Sequence, residues 1–187
     1  MSTNGTPPRV DPERLEVRPF RRTHDLGTFD SGTRELDAFL SSREVERFED
    51  EGFGRTFLVS FEGVLVAYYT LSSDSLRTEY VEGTGFPHPS RRPKVGSVPA
   101  VKIGRLAVAR KWQGRGVGRS LVALIAEEVL SLGRHVGVRL LILEAKPEAV
   151  AFYEKCGFRL TRETRRERGK RNRTMFLDLR PLGALVD

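Results

Sequence analysis

Read for the spacing of its apolar positions, the chain begins with a strand-like run, "LEVRPF", and then changes period. In "TRELDAFLSSREVERF" the residues Leu36, Phe39, Leu40 and Phe48 form a helical stripe. The runs "RTFLVSF" and "VLVAYYTL" are β-rich and are separated by Glu62-Gly63, which predicts a hairpin of two antiparallel strands. From Ser72 to Pro99 no period is sustained and Pro87, Pro89, Pro93 and Pro99 intervene, so a long connecting segment is expected, with room for a short strand or helical turn. Apolar continuity returns in "AVKIGRLAV", a buried strand. After "QGRGVG", Val117, Leu121, Ile125, Val129 and Leu132 fall on one face of a helix that ends near Gly133.

A further buried strand, "VRLLILEA", leads to Pro147, which suits a first helical turn, and to Ala149, Phe152, Tyr153 and Cys156 at helical spacing before Gly157. "FRLT" and "TMFLDL" then frame a hairpin. The order β, α, β, β, loop, β, α, β, α, β, β predicts an α+β chain with a mixed sheet and helices on both faces. One domain over residues 15–181 is expected, between a polar N-terminal tail (1–14) and a short C-terminal tail (182–187).

Composition narrows this picture. Across 187 residues, 39% are hydrophobic and 30% charged, and no apolar run approaches the roughly 20 residues that span a bilayer. The opening residues lack the basic-then-apolar order of a secretory signal, so a cytoplasmic protein is expected. Cys156 stands alone, and with His24, His88 and His135 it makes no zinc-ligand spacing, so neither a disulfide nor a metal is predicted. The net charge of +7 is concentrated in two places. "RETRRERGKRNR" sets seven basic residues against two acids, a balance of +5, and "RRPK" adds three more. Either these are a solvated hairpin tip and loop, or Arg91, Arg92, Lys94, Arg165, Arg166, Arg168, Lys170 and Arg171 contact phosphates.

The three glycines of "QGRGVG" need a reason, since each costs roughly 0.5–1 kcal/mol against alanine in or near a helix. A helix start offers unpaired N–H groups and the positive end of the macrodipole. Without side chains at Gly114, Gly116 and Gly118, a diphosphate can reach those amides, flanked by Gln113, Arg115 and Arg119. The spacing is neither a dinucleotide fingerprint nor a Walker loop.

Taken together, "IGRLAVARKWQGRGVGRSLV" and, a strand later, "EAVAFYEKCGF" resemble the GNAT acetyltransferase superfamily, whose acyl-CoA loop reads Gln/Arg-x-x-Gly-x-Gly/Ala, met here by Gln113, Gly116 and Gly118. The resemblance implies the GNAT fold: a mostly antiparallel twisted sheet in which the strands matching "GRLAV" and "LLILEA" are parallel and splay apart. It implies acetyl-CoA as donor, its pantetheine arm along Leu106, Ala107 and Val108 and its pyrophosphate on the amides of Arg115, Gly116, Val117, Gly118 and Arg119. By helical spacing alone Tyr153 is a core aromatic; the resemblance makes it the general acid. The chemistry is sound, because a phenol of pKa near 10 can protonate a thiolate whose reference pKa is roughly 8.5 as it leaves.

The acceptor is narrowed by acid–base arithmetic. A lysine amine is about 0.04% neutral at pH 7, whereas an α-amine of pKa near 7.7 is roughly 15–20% neutral. "KIGRLAV" holds no carboxylate base, and Glu144 is either such a base or a solvated strand end. An α-amine acceptor is favoured. "FDSGTRELDAFL", "RTFLV", "VAYYTLS" and "RTMFLDL" are similar to the toxin branch of the superfamily, which implies acetylation of aminoacyl-tRNA, a block of translation, a ribbon-helix-helix antitoxin and a homodimer. The competing readings are an N-acetyltransferase for a protein or small-molecule amine, and a nucleic-acid-binding or regulatory module on a degenerate acetyltransferase fold.

Overall fold

The computed structural model describes residues 9–86, 96–162, 169 and 171–183. Its elements are β1 (Leu15–Pro19), α1 (Arg34–Ser41), α2 (Glu44–Asp50), β2 (Arg55–Phe61), β3 (Val64–Arg77), β4 (Ser97–Val108), α3 (Val117–Leu132), β5 (Leu140–Ala145), α4 (Val150–Lys155), β6 (Arg159–Leu160), β7 (Arg173–Asp178) and α5 (Arg180–Gly183). Among the described residues seven strands hydrogen-bond in the order β1-β2-β3-β4-β5-β7-β6, a mixed sheet as expected. The chain divides into two compact units, Met1–Ser72 with Gly104–Val122, and Ser73–Ile103 with Ala123–Asp187.

In the first unit β1 runs antiparallel to β2 from Leu15↔Phe61 to Pro19↔Phe57, and β2 antiparallel to β3 from Arg55↔Leu71 to Phe61↔Val64. The predicted hairpin turn is present, with Glu62 at φ +51° and Gly63 at φ +77°. Positive φ at both central residues gives the turn the twist that the flanking strands need. The core of this unit gathers Phe39, Leu40, Val45, Leu58, Tyr68 and Ala107. Buried Tyr68 donates its hydroxyl to the Leu36 carbonyl at 2.7 Å, so a polar tip in an apolar core is satisfied.

The single helix expected from Thr33 to Phe48 is two. Ser42 adopts an extended conformation (φ −107°, ψ 171°) and its hydroxyl accepts the Glu44 N–H at 3.1 Å, which ends α1 and restarts the chain as α2. A serine side chain that bonds a neighbouring amide competes with the helical ladder, and the apolar stripe does not register this.

The second unit holds the parallel pair. Ala100–Ile103 of β4 lie in register with Leu140–Leu143 of β5, and the ladder ends at Ile103↔Leu143 although β4 continues to Val108 and β5 to Ala145. β5 pairs antiparallel with β7 from Leu140↔Asp178 to Ala145↔Arg173, and β6 closes the edge against β7. The core here is Leu76, Val81, Val98, Ala100, Leu140, Ile142 and Phe176. The loop expected from Ser72 begins later, because β3 extends through Arg77 and a 3-10 turn at Thr78–Tyr80 follows. Polar "SSDS" carries no strand period, but a strand next to β4 needs only its main-chain groups to pair. No helix among the described residues is long and apolar enough to cross a membrane.

Candidate functional site

The glycine loop is built from main-chain geometry. A 3-10 turn at Arg110–Trp112 follows β4, and Gly114 and Gly116 then take φ of +73° and +88°, where any residue with a Cβ is strained. A Cβ at either position would meet no protein atom within 4 Å, so the backbone faces open space. The Ser120 N–H donates to the Gly116 carbonyl at 3.1 Å, which makes Gly116 the N-cap of α3. A glycine has no side chain with which to cap, so it leaves the following amides for an anion. Val117 is buried and anchors the first turn, Gly118 is half-buried and Arg119 is exposed.

Gln113, expected beside the donor, is tied into the fold by its side chain. Its side-chain amide donates to the Ser31 and Val108 carbonyls, both at 2.8 Å. The two donors are thus committed to holding the loop against the end of β4 and the turn before α1. Arg115 places its guanidinium 5.1 Å from the centre of the Trp112 ring, and its Nε is buried without a partner. Of the three β4 residues expected beside the pantetheine arm, Ala107 is buried and Leu106 and Val108 are half-buried. Just before them, a Cβ on Gly104 would lie 2.9 Å from the Thr70 Oγ1, which also accepts the Arg105 N–H at 2.9 Å.

Tyr153 belongs to the second unit. It sits in α4 with its ring packed edge-on to Phe152 (centroids 5.0 Å) and Phe158 (5.7 Å). Burial, with a smaller contribution from Cys156, pushes its phenol up to about 12. Tyr68 is raised as well by burial, against the opposing charge of Arg105, but its hydroxyl is spent on Leu36. The Tyr153 hydroxyl has no hydrogen-bond partner among the described residues, and its proton is therefore available. The candidate base Glu144 accepts from Lys102 Nζ at 3.1 Å, so its carboxylate is held in an ion pair.

Of the basic residues expected to meet phosphates, Arg171 is described and is exposed; Arg91, Arg92, Lys94, Arg165, Arg166, Arg168 and Lys170 lie outside the described residues. Sequence reasoning missed Val10, Ser31, Trp112 and Phe158, all of which bear on the site's geometry. Of these, Val10 had a signal. It precedes Asp11-Pro12, an N-cap residue followed by proline at a first helical position.

Comparison with known proteins gives the family and the fold. The acetyltransferase (GNAT) domain family matches residues 92–179. A tRNA-acetylating toxin of Mycobacterium tuberculosis (strain ATCC 25618 / H37Rv) is 32% identical over 138 residues, 73% of this chain and 80% of the toxin. AtaT complexed with acetyl-methionyl-tRNAfMet superposes with a TM-score of 0.75 at 24% identity, covering 92% of this chain and 99% of that one. A mutant AtaT toxin bound to the C-terminus of the antitoxin AtaR and acetyl-CoA gives 0.69 at 24% identity, over 92% and 98%. These two likenesses carry the fold. The identity to the mycobacterial toxin carries more, and with the matched domain it shows that this chain belongs to the GNAT acetyltransferases, in the family of the tRNA-acetylating toxins.

Proposed function

We propose that the protein transfers an acetyl group from acetyl-CoA to the α-amine of aminoacyl-tRNA and thereby blocks translation in the cytoplasm. The observation that carries the reading is the glycine-capped, open start of α3, in a chain whose relative acetylates tRNA. The bound donor supplies an activated acyl group whose thiol departs. The amides of Arg115–Arg119 hold its pyrophosphate, and the main chain of Leu106–Val108 aligns its arm; the end of the parallel ladder at Ile103 supports the second assignment, because β4 continues beyond its pairing with β5. A backbone N–H of that strand stabilises negative charge on the acyl oxygen. Tyr153 delivers its hydroxyl proton to the departing sulfur, and a phenol held up to about 12 is fully protonated at neutral pH for that step.

An α-amine needs little help to be neutral at pH 7, which fits a chain whose candidate base, Glu144, is bound to Lys102. The basic runs at residues 91–94 and 162–173 give the acceptor's phosphates a counter-charge. An antitoxin that occupies the toxin until it is lost belongs to the same reading.

The test is incubation with labelled acetyl-CoA and a charged-tRNA pool beside a panel of free amines. Label on aminoacyl-tRNA, abolished by Tyr153→Phe and weakened steeply by salt, is the expected result. Label confined to a protein or a small amine, with turnover indifferent to charge reversal at Arg165, Arg166 and Arg168, would assign the other acceptor.

A further inference from the structure

The segment before β1 was expected to be a tail, yet from Val10 onward it is fastened to the glycine loop. Val10 is 7% exposed, and its N–H donates to the Arg115 carbonyl at 3.0 Å. Asp11 then caps a 3-10 turn, Pro12–Arg14, by accepting the Glu13 N–H at 3.1 Å. Arg14 pairs with Glu62 and lies 4.9 Å from the Phe61 ring centre. Phe61 packs on Trp112 with centroids 5.3 Å apart, and Trp112 carries the Arg115 guanidinium. The segment thus reaches the loop twice, once through the main chain and once through a row of stacked side chains.

We infer that Val10 is a positioning residue for the acetyl donor, acting through the Arg115–Gly116 peptide; the inference rests on the reading that this loop holds the donor's diphosphate. A trans peptide unit points its C=O and its N–H in opposite directions. Fixing the Arg115 carbonyl on Val10 therefore turns the Gly116 N–H to the opposite side. Gly116 is the residue least able to hold that orientation alone, since a glycine at φ +88° populates several other conformations in a free chain. Gln113 holds the loop from β4 and Val10 holds it from the N-terminal side, so the peptide that begins α3 is set before the donor arrives. Preorganisation of this kind appears in donor affinity and leaves the proton transfer untouched.

The experiment compares the full chain with Val10→Pro, which removes the N–H, with Val10→Ala, which keeps it and loses buried surface, and with a chain lacking residues 1–12. Binding of acetyl-CoA and of S-acetylpantetheine, which has no diphosphate, is measured by calorimetry beside thermal midpoints. Val10→Pro and the truncated chain are expected to bind acetyl-CoA about 5- to 10-fold more weakly, the range of one lost hydrogen bond, with kcat at saturating donor within about twofold. S-acetylpantetheine binding is expected to be unchanged, and Val10→Ala to lose midpoint but not donor affinity. Equal acetyl-CoA affinity in all four proteins would overturn the role of Val10 while leaving the loop assignment standing. A penalty of the same size for S-acetylpantetheine would overturn it too, and a wild-type chain that binds no acetyl-CoA would remove both the inference and the reading beneath it.

Discussion

Tyr153 and Phe158 are joined twice. The Phe158 N–H donates to the Tyr153 carbonyl at 3.0 Å, and the two rings meet edge-on at 5.7 Å. With the Gly157 N–H on the Glu154 carbonyl at 2.9 Å and Gly157 at φ +92°, this is a Schellman ending of α4, in which the residue beyond the glycine packs against the one whose carbonyl it holds. The helix terminus and the ring that it presents are therefore a single structure.

Phe158 is 2% exposed, so Phe158→Ala is expected to cost about 3–5 kcal/mol of stability by denaturant titration. At a temperature where the variant remains folded, kcat should fall at least tenfold with the acetyl-CoA KM little changed. An intact kcat would separate Tyr153's ring position from its Phe158 support. Gly157→Ala forces a Cβ into positive φ and should cost about 1–2 kcal/mol.

The raised phenol of Tyr153 has a direction that can be checked. Burial favours the neutral form, so the proton is retained through pH 10, where an ordinary tyrosine is half ionised, and is lost as pH approaches about 12. Its contribution to folding stability is accordingly complete below about pH 10 and declines from there toward pH 12. The ultraviolet difference titration between wild type and Tyr153→Phe should show the extra phenolate well above pH 10. Turnover should show no alkaline decline from this group between pH 8 and 10. A phenolate of Tyr153 appearing at pH 10 or below contradicts the assignment.

Gly104→Ala places a Cβ 2.9 Å from the Thr70 Oγ1, a hydroxyl on a fully buried residue that also accepts the Arg105 N–H. Overpacking of this kind is expected to cost about 1–3 kcal/mol in chemical denaturation. Adding Thr70→Ala should recover part of that loss. Strictly additive losses would show that the clash is relieved elsewhere.

Gln113→Glu keeps the shape but cannot donate to the Ser31 and Val108 carbonyls, each at 2.8 Å in the wild type. Facing a carboxylate to two carbonyls should lower stability by about 1–3 kcal/mol and weaken acetyl-CoA binding at least tenfold. Calorimetry reads the binding and a melting curve the stability. Unchanged donor affinity would leave Gln113 without its role in holding the loop.

How much of this was legible varied by element. The hairpin at Glu62-Gly63, the β4 to α3 unit and the α4 stop at Gly157 each rest on a local rule, a turn dipeptide, an apolar period or a glycine after a helix, and each is present. The break between α1 and α2 was not legible, because it depends on one hydroxyl choosing an amide, and the end of β3 was not, because exposed strands need no apolar period. For Gln113 the place in the loop was legible in the sequence, and the fold added the contacts of its side chain. The pattern identified a polar group beside the loop, and only the folded chain placed Ser31 and Val108 within its reach.

By itself, the sequence determined the glycine spacing that demands positive φ and an uncapped helix start, the tyrosine at helical spacing, and the family whose signature both carry. Those are properties of neighbours along the chain. Tertiary structure alone decided that the parallel ladder ends at Ile103, that half-buried Tyr153 packs edge-on to Phe158 while its hydroxyl has no hydrogen-bond partner among the described residues, and that Val10 grips the loop from over a hundred positions away. Each of these depends on which distant groups meet, and a meeting of that kind is set by the packing of the whole core and not by any local preference.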